Sequence, residues 1–309
     1  MLSLHDITLS FTRYETGLIR KELPVLNGLD LVVKKNELVG VVGASGSGKS
    51  LLAHAVLGIL PANANLTGTM EFKGAPLTHK RQQAVRGKEI ALIPQSITFL
   101  DPLQRIGEQV RRAAILSGVD KKTAILRQKA AFERYQLPPS TARLFPFQLS
   151  GGMVRRALLA TATVGNADLL IADEPTPGLQ PQIVSESLSH FRELADSGKG
   201  VLLITHELDA VLHVADKIAV FYGGTILEEA SANDFDHGGK NLRHPFTRAL
   251  WEALPGNAFK TSFFSREGPG SLVQGCPLYQ YCAAKTDLCA IQPPIGRRLN
   301  GGFVRCHNA

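Results

Sequence analysis

Residues 37–60 read ELVGVVGASGSGKSLLAHAVLGIL, and the order of textures in this stretch decides the fold. ELVGVVG is a short run of strand-forming apolar residues, whereas LLAHAVLGIL carries its apolar residues at helical spacing. Between them, Gly43, Ala44, Ser45, Gly46, Ser47, Gly48, Lys49 and Ser50 satisfy the pattern G-x-x-x-x-G-K-[ST]. Strand, glycine loop and helix in that order place bare backbone N–H groups and a helix N-terminus around one point, which is a cradle for phosphate oxygens. Lys49 is long enough to reach β and γ phosphates, and the Ser50 hydroxyl suits Mg²⁺. A glycine turn that merely caps a helix needs neither the lysine nor the preceding strand.

Working outward, three more short apolar runs read as strands, at residues 90–93, 169–172 and 201–205. Residues 4–11, 29–33 and 68–72 alternate instead, as half-exposed strands of a small antiparallel layer do. From about residue 97 to 165 the periodicity is helical, in QRIGEQVRRAAILSG, KKTAILRQKAAFERY and SGGMVRRALLATATV, so an inserted helical subdomain is expected. After residue 205 come a helix and a hairpin, KIAVFYGGTILEE, turning at Gly223 and Gly224. The expected fold class is therefore α/β: a parallel core sheet, an antiparallel N-terminal layer and a helical insertion over residues 1–230. Residues 231–309 then form a C-terminal extension rich in Gly, Pro and Asn.

The strand LLIA delivers Asp173 and Glu174 at its C-terminal end, where ligands bind in α/β sheets. Asp173 is suited to hold the Mg²⁺ shell through water. Glu174 can orient or deprotonate an attacking water, as phosphoryl transfer requires.

The chain of 309 residues is 44% hydrophobic, 20% charged and 6% aromatic, which excludes disordered, collagen-like and low-complexity classes. No uncharged apolar run reaches the roughly 18 residues a membrane span needs, and the N-terminus MLSLHDITLSF lacks the layout of a secretory signal. A cytosolic chain, peripheral to any membrane, is expected. The net charge of +7 leaves polyanions, phosphates and anionic lipid open as partners. All four cysteines fall at the end, Cys276, Cys282, Cys289 and Cys306. In a reducing compartment such a cluster favours a metal over disulfides.

LSGGM, formed by Leu149, Ser150, Gly151, Gly152 and Met153, opens a helix about 100 residues after Lys49 and some 20 before Asp173. With it the chain resembles the ABC ATPases. Gln95 in IPQ matches that family's Q-loop, and His206 in LLITHE matches its switch histidine. The resemblance implies ATP as the nucleotide, Glu174, His206, Lys49 and Gln95 as catalytic residues, and Ser50, Gln95 and Asp173 around Mg²⁺. It also implies a head-to-tail dimer in which the signature of one subunit caps the γ phosphate held by the other. An N-terminal aromatic stacks on adenine in this family. Phe11 and Tyr14 are the candidates, and Phe11 is preferred.

HPFTRALWEALP (residues 244–255) and CPLYQYC resemble the C-terminal region of dipeptide, oligopeptide and nickel importer ATPases. For the four cysteines the expectation is a [4Fe-4S] cluster, with zinc, unligated thiols and a disulfide as the alternatives. The family resemblance further implies a second ABC ATPase subunit, identical or related, two transmembrane permease subunits and, indirectly, an extracytoplasmic solute-binding protein. The subunit would sit on the cytoplasmic face of a bacterial membrane, with no nucleic acid expected. The alternative is a soluble ABC ATPase acting on nucleic acid or ribosomes. A binding-only regulatory module is disfavoured by the intact Glu174 and His206. Two departures stand out: Gln180 replaces the D-loop aspartate in TPGLQ, and Val154, Arg155 and Arg156 replace the frequent R-Q-R after the signature. By family resemblance alone, the divergent PTPGLQ run leans slightly toward a nickel or metallophore branch over ordinary peptides.

Overall fold

A computed structural model describes residues 1–14, 20–257 and 275–309. The chain begins with long antiparallel strands, β1 (Leu2–Tyr14) and β2 (Arg20–Val33), followed by β3 (Glu37–Val42), helix α1 (Lys49–Leu57), β4 (Ala64–Phe72) and the short β5 (Ala75–Pro76). Helix α2 (His79–Val85) leads to β6 (Ile90–Ile93). The helical insertion then supplies α3 (Ile106–Leu116), α4 (Lys121–Arg134) and α5 (Gly151–Thr163). The chain returns through β7 (Leu169–Asp173), α6 (Pro181–Asp196), β8 (Gly200–Thr205), α7 (Leu208–Leu212), β9 (Lys217–Tyr222) and β10 (Thr225–Ser231). The C-terminal region contributes α8 (Pro245–Glu252), α9 (Asp287–Ile291), β11 (Arg297–Leu299) and β12 (Gly302–Val304).

Two sheets result. β2-β1-β4-β5 is the antiparallel layer, and β11-β12-β10-β9-β3-β8-β7-β6 is the core sheet, parallel from β9 to β6. The α/β class with an antiparallel N-terminal layer is thus the observed fold. Side chains of a strand alternate between faces, and the core strands are buried on both. Leu169 and Ile171 join Val39, Val41, Leu202 and Ile204 against the antiparallel layer and α1. Leu170 and Ala172 join Leu203 and the helical insertion on the other face.

Local signals shape the insertion. The Asp120 carboxylate accepts from the Lys122 and Thr123 N–H groups and starts α4. Ser150 caps α5, its Oγ accepting from Met153 N at 3.4 Å. The C-terminal region does not stand apart: β12 pairs with β10 and so prolongs the core sheet. Buried Glu228 on β10 accepts from the backbone N–H groups of Arg243 and His244, and the Arg243 guanidinium bonds Glu228, Asp234 and the Leu299 carbonyl. This buried cation is therefore paired as well as hydrogen-bonded, the condition for tolerating a charge in a core.

Candidate active site

Sharp turns build the phosphate loop. Gly48, which caps α1, has φ 99° and Gly46 has φ 76°, the left-handed region that side-chain-bearing residues rarely enter. Gly43 is required for another reason: a Cβ there would lie 2.4 Å from the Phe221 carbonyl oxygen of β9. The loop borders a cavity of about 340 Å³ lined by Ser45, Gly46, Gly48, Lys49, Ser50, Gln95 and Glu174.

The Lys49 ammonium is buried and donates to the Gly43 and Ala44 carbonyls at 2.8 and 2.7 Å. Burial lowers its pKa, while the charges of Glu174 and Asp173 oppose that shift. Ser50 Oγ donates to Asp173 Oδ1 at 3.0 Å and lies 3.4 Å from Gln95 Oε1. Three residues from separate parts of the chain therefore bring hard oxygen atoms to one place, a donor set of the kind Mg²⁺ takes. Desolvation raises the pKa of Asp173 to about 6. The Ser50 hydrogen bond and nearby Lys49 act against the shift, and the Glu174 charge adds to it.

Glu174 follows β7 in a left-handed conformation, φ 46°. Its N–H donates to the Ile204 carbonyl at 2.9 Å, and its carboxylate lies against His206 Nδ1 on the next strand end. His206 thus rests on the carboxylate and does not line the cavity. Thr205 Oγ1 approaches the same carboxylate at 3.5 Å, a contact sequence reasoning did not anticipate.

The remaining sequence candidates are placed as follows. Leu149, Ser150, Gly151, Gly152 and Met153 lie at the start of α5, and none of them lines the phosphate cavity of their own chain. A Cβ added at Gly151 would meet no atom within 4 Å, and one at Gly152 only the Gly178 carbonyl at 3.7 Å, so the cradle opens outward. Phe11 packs against the core under the antiparallel layer, while Tyr14 is exposed beneath the Arg20 guanidinium. Neither lines the phosphate cavity.

The four cysteines are free thiols, with Cys276, Cys289 and Cys306 buried. Cys276 N–H donates to the Cys289 carbonyl, and Asn308 donates through its N–H to Cys306 Sγ and through Nδ2 to Cys289 Sγ. Burial, reinforced by the charges of the other three thiols, pushes Cys276 up to about 11. Among the described residues no group of three or more His, Cys, Asp or Glu could hold a metal ion as placed. As placed, Cys276, Cys282, Cys289 and Cys306 do not form a preassembled ligand set.

The ABC transporter family profile matches residues 26–177. The chain is 30% identical to the oligopeptide transport ATP-binding protein OppD of Haemophilus influenzae, across 99% of this chain and 97% of that one. It is 35% identical to the dipeptide transport ATP-binding protein DppD of Escherichia coli, across 89% and 88% of the two chains. Among solved structures, the dimeric ATP-binding cassette MJ0796, in a post-hydrolysis state bound to ADP and Pi, superposes with a TM-score of 0.66. It is 23% identical and covers 75% of this chain and 99% of its own.

Proposed function

The chain belongs to the ABC transporter family, among its oligopeptide and dipeptide ATP-binding subunits, and on that premise we propose how its site works and what it energises. It is an ATPase, converting ATP and water to ADP and phosphate, and it powers a bacterial importer. The observation that carries the site assignment is the meeting of Ser50, Gln95 and Asp173 beside Lys49 and Glu174.

The phosphate-loop N–H groups hold the nucleotide tail, and Lys49 exchanges its two loop carbonyls for β and γ phosphate oxygens. Ser50, Gln95 and Asp173 would hold Mg²⁺, which when bound would supply positive charge against the phosphate oxygens. Glu174 orients a water for in-line attack at the γ phosphorus and accepts its proton as the bond to the β-bridging oxygen breaks. His206 fixes the Glu174 carboxylate through Nδ1. The outward-facing Ser150, Gly151 and Gly152 serve the γ phosphate of a second ATPase subunit, because a helix N-terminus rich in bare N–H groups is an anion site. ATP closes the pair, and hydrolysis reopens it.

Among the described residues no helix is long and apolar enough to cross a membrane. We place the chain on the cytoplasmic face, under two permease subunits that receive solute from an extracytoplasmic binding protein. Peptides are the substrate class its relatives favour, and nothing in the relatives supports a nucleic-acid role. ATPase assays of the reconstituted complex, with its binding protein and a panel of peptides, nickel and metal chelates, test this. Peptide-stimulated turnover supports the reading. Stimulation by nickel or a chelate alone moves the substrate to that branch, and no ATP hydrolysis under any condition refutes the enzyme.

In the C-terminal region, we propose that Cys276, Cys282, Cys289 and Cys306 take up a [4Fe-4S] cluster, supported by four thiols free of disulfides in one packed region. A cluster bound there would cross-link four points of an irregular segment. Iron and sulfide in anaerobically purified protein support it, zinc supports the simpler metal, and neither leaves the thiols structural.

A further inference from the structure

The helical insertion meets the catalytic residues through an arginine that departs from the frequent R-Q-R pattern. Arg155 lies near the start of α5, five residues after Ser150. Its Nη1 donates to two backbone carbonyls, that of Gln95 at 2.9 Å and that of Glu174 at 3.2 Å. Arg156 turns away, bonding the Gln136 carbonyl at 2.8 Å. The arginine that stands where the pattern has glutamine is therefore aimed inward, at the chain's own catalytic strand ends.

The geometry gives this contact leverage. Gln95 and Glu174 follow neighbouring parallel strands, β6 and β7, and both line the phosphate cavity. Glu174 sits at φ 46°, a conformation that costs a residue with a side chain about 1 kcal/mol or more and persists only where its surroundings fix it. Its N–H is held by Ile204 and its carbonyl by Arg155. With both backbone groups held, the direction in which the carboxylate leaves the main chain is set. Hydrogen bonds from a charged donor are about twice as strong as neutral ones, so the neutral amide of a glutamine at this position would hold the two carbonyls less firmly.

We propose that Arg155 is a positioning residue for hydrolysis, binding the main chains of Gln95 and Glu174 to the signature helix so that the three move as one body. The inference rests on the ATPase reading above. Its consequence is communication between sites. Ser150, Gly151 and Gly152 open the same helix, so a γ phosphate on the partner subunit, once gripped there, biases the orientation of this subunit's own Glu174. The contact lies within one subunit and does not depend on the D-loop side chain, which here is Gln180.

Arg155→Ala and Arg155→Lys in the full-length chain, assayed within its transport complex, test the proposal. Arg155→Ala is expected to lower kcat about tenfold to a hundredfold, with KM for MgATP and equilibrium nucleotide affinity changed less than about threefold. Arg155→Lys, which keeps a charged donor, is expected to recover most of that loss at an unchanged melting temperature. The proposal is overturned by an alanine variant with kcat within twofold of the parent. It is equally overturned if nucleotide affinity falls in step with kcat, or if lysine does no better than alanine. Absence of ATP hydrolysis by the unsubstituted complex would refute the ATPase reading instead, so the two failures are distinguishable.

Discussion

Both carboxylate oxygens of Glu174 lie 2.9 Å from Nδ1 of His206. A carboxylate only accepts when ionised, so Nδ1 carries the proton in this contact and Nε2 is left to face elsewhere. The His206 side chain is 45% exposed against 7% for Glu174, so a histidine that solvent reaches holds a buried carboxylate. His206→Ala is expected to lower kcat by about tenfold to 10²-fold, the cost of a misplaced catalytic group, while nucleotide affinity stays near that of the parent. Equal kcat for the variant, measured under saturating MgATP, would remove His206 from the mechanism.

Asp173 gives the site a pH dependence whose sign is fixed by its burial. Its folded-state pKa of about 6 lies above its ordinary 3.8. Stability from this group is therefore fully present below about pH 3.8 and is lost as pH rises through about 6. Asp173→Asn, which mimics the protonated acid, is expected to raise stability at pH 8 by roughly 1–3 kcal/mol. That gain should vanish by pH 4, in Mg²⁺-free denaturant titrations. The same variant is expected to lose Mg²⁺-dependent hydrolysis. A variant less stable than the parent at pH 8 would contradict this assignment.

Two histidines, the half-buried His190 and the buried His244, act in the opposite sense. His190 lies 2.6 Å from the Tyr135 hydroxyl, and His244 caps α8 by accepting from Phe246 N–H. Desolvation depresses both to about 4. Each contributes stability that is fully present above its ordinary value of 6.5 and is lost as pH falls through about 4. Chemical denaturation between pH 7 and pH 4 is expected to show a loss of roughly 2–3 kcal/mol for each, offset in part by Asp173. Replacing His190 by Gln should flatten the curve; an unchanged slope would show that His190 does not titrate on unfolding.

The core of the site was legible because it is local. The strand, the turn forced by Gly46 and Gly48, and the first turn of α1 lie within one short stretch, and the strand ends before Asp173 and His206 read as buried runs. What escaped depends on contacts between distant segments. The charge of Arg155 was visible after the signature, but the face of α5 on which it points is decided by packing against β6, α3 and α4. The left-handed turn at Glu174 had no glycine to announce it. β11 and β12 have three residues each, too few for alternation to register, and only their pairing at the edge of β10 reveals them as strands. Phe11 and Tyr14 both lie on β1, one half-buried and one exposed, and the sequence pattern alone does not separate the two.

The central claim is that one subunit's phosphate loop and the other's signature share a nucleotide. Size-exclusion chromatography with light scattering, on the chain carrying Glu174→Gln with its partner ATPase, reads this directly. MgATP is expected to convert it to a dimer, and adding Ser150→Arg to both subunits should abolish the dimer while leaving each monomer's nucleotide affinity intact. A dimer that persists with Ser150→Arg, or a Glu174→Gln chain that stays monomeric while saturated with MgATP, would contradict the shared site.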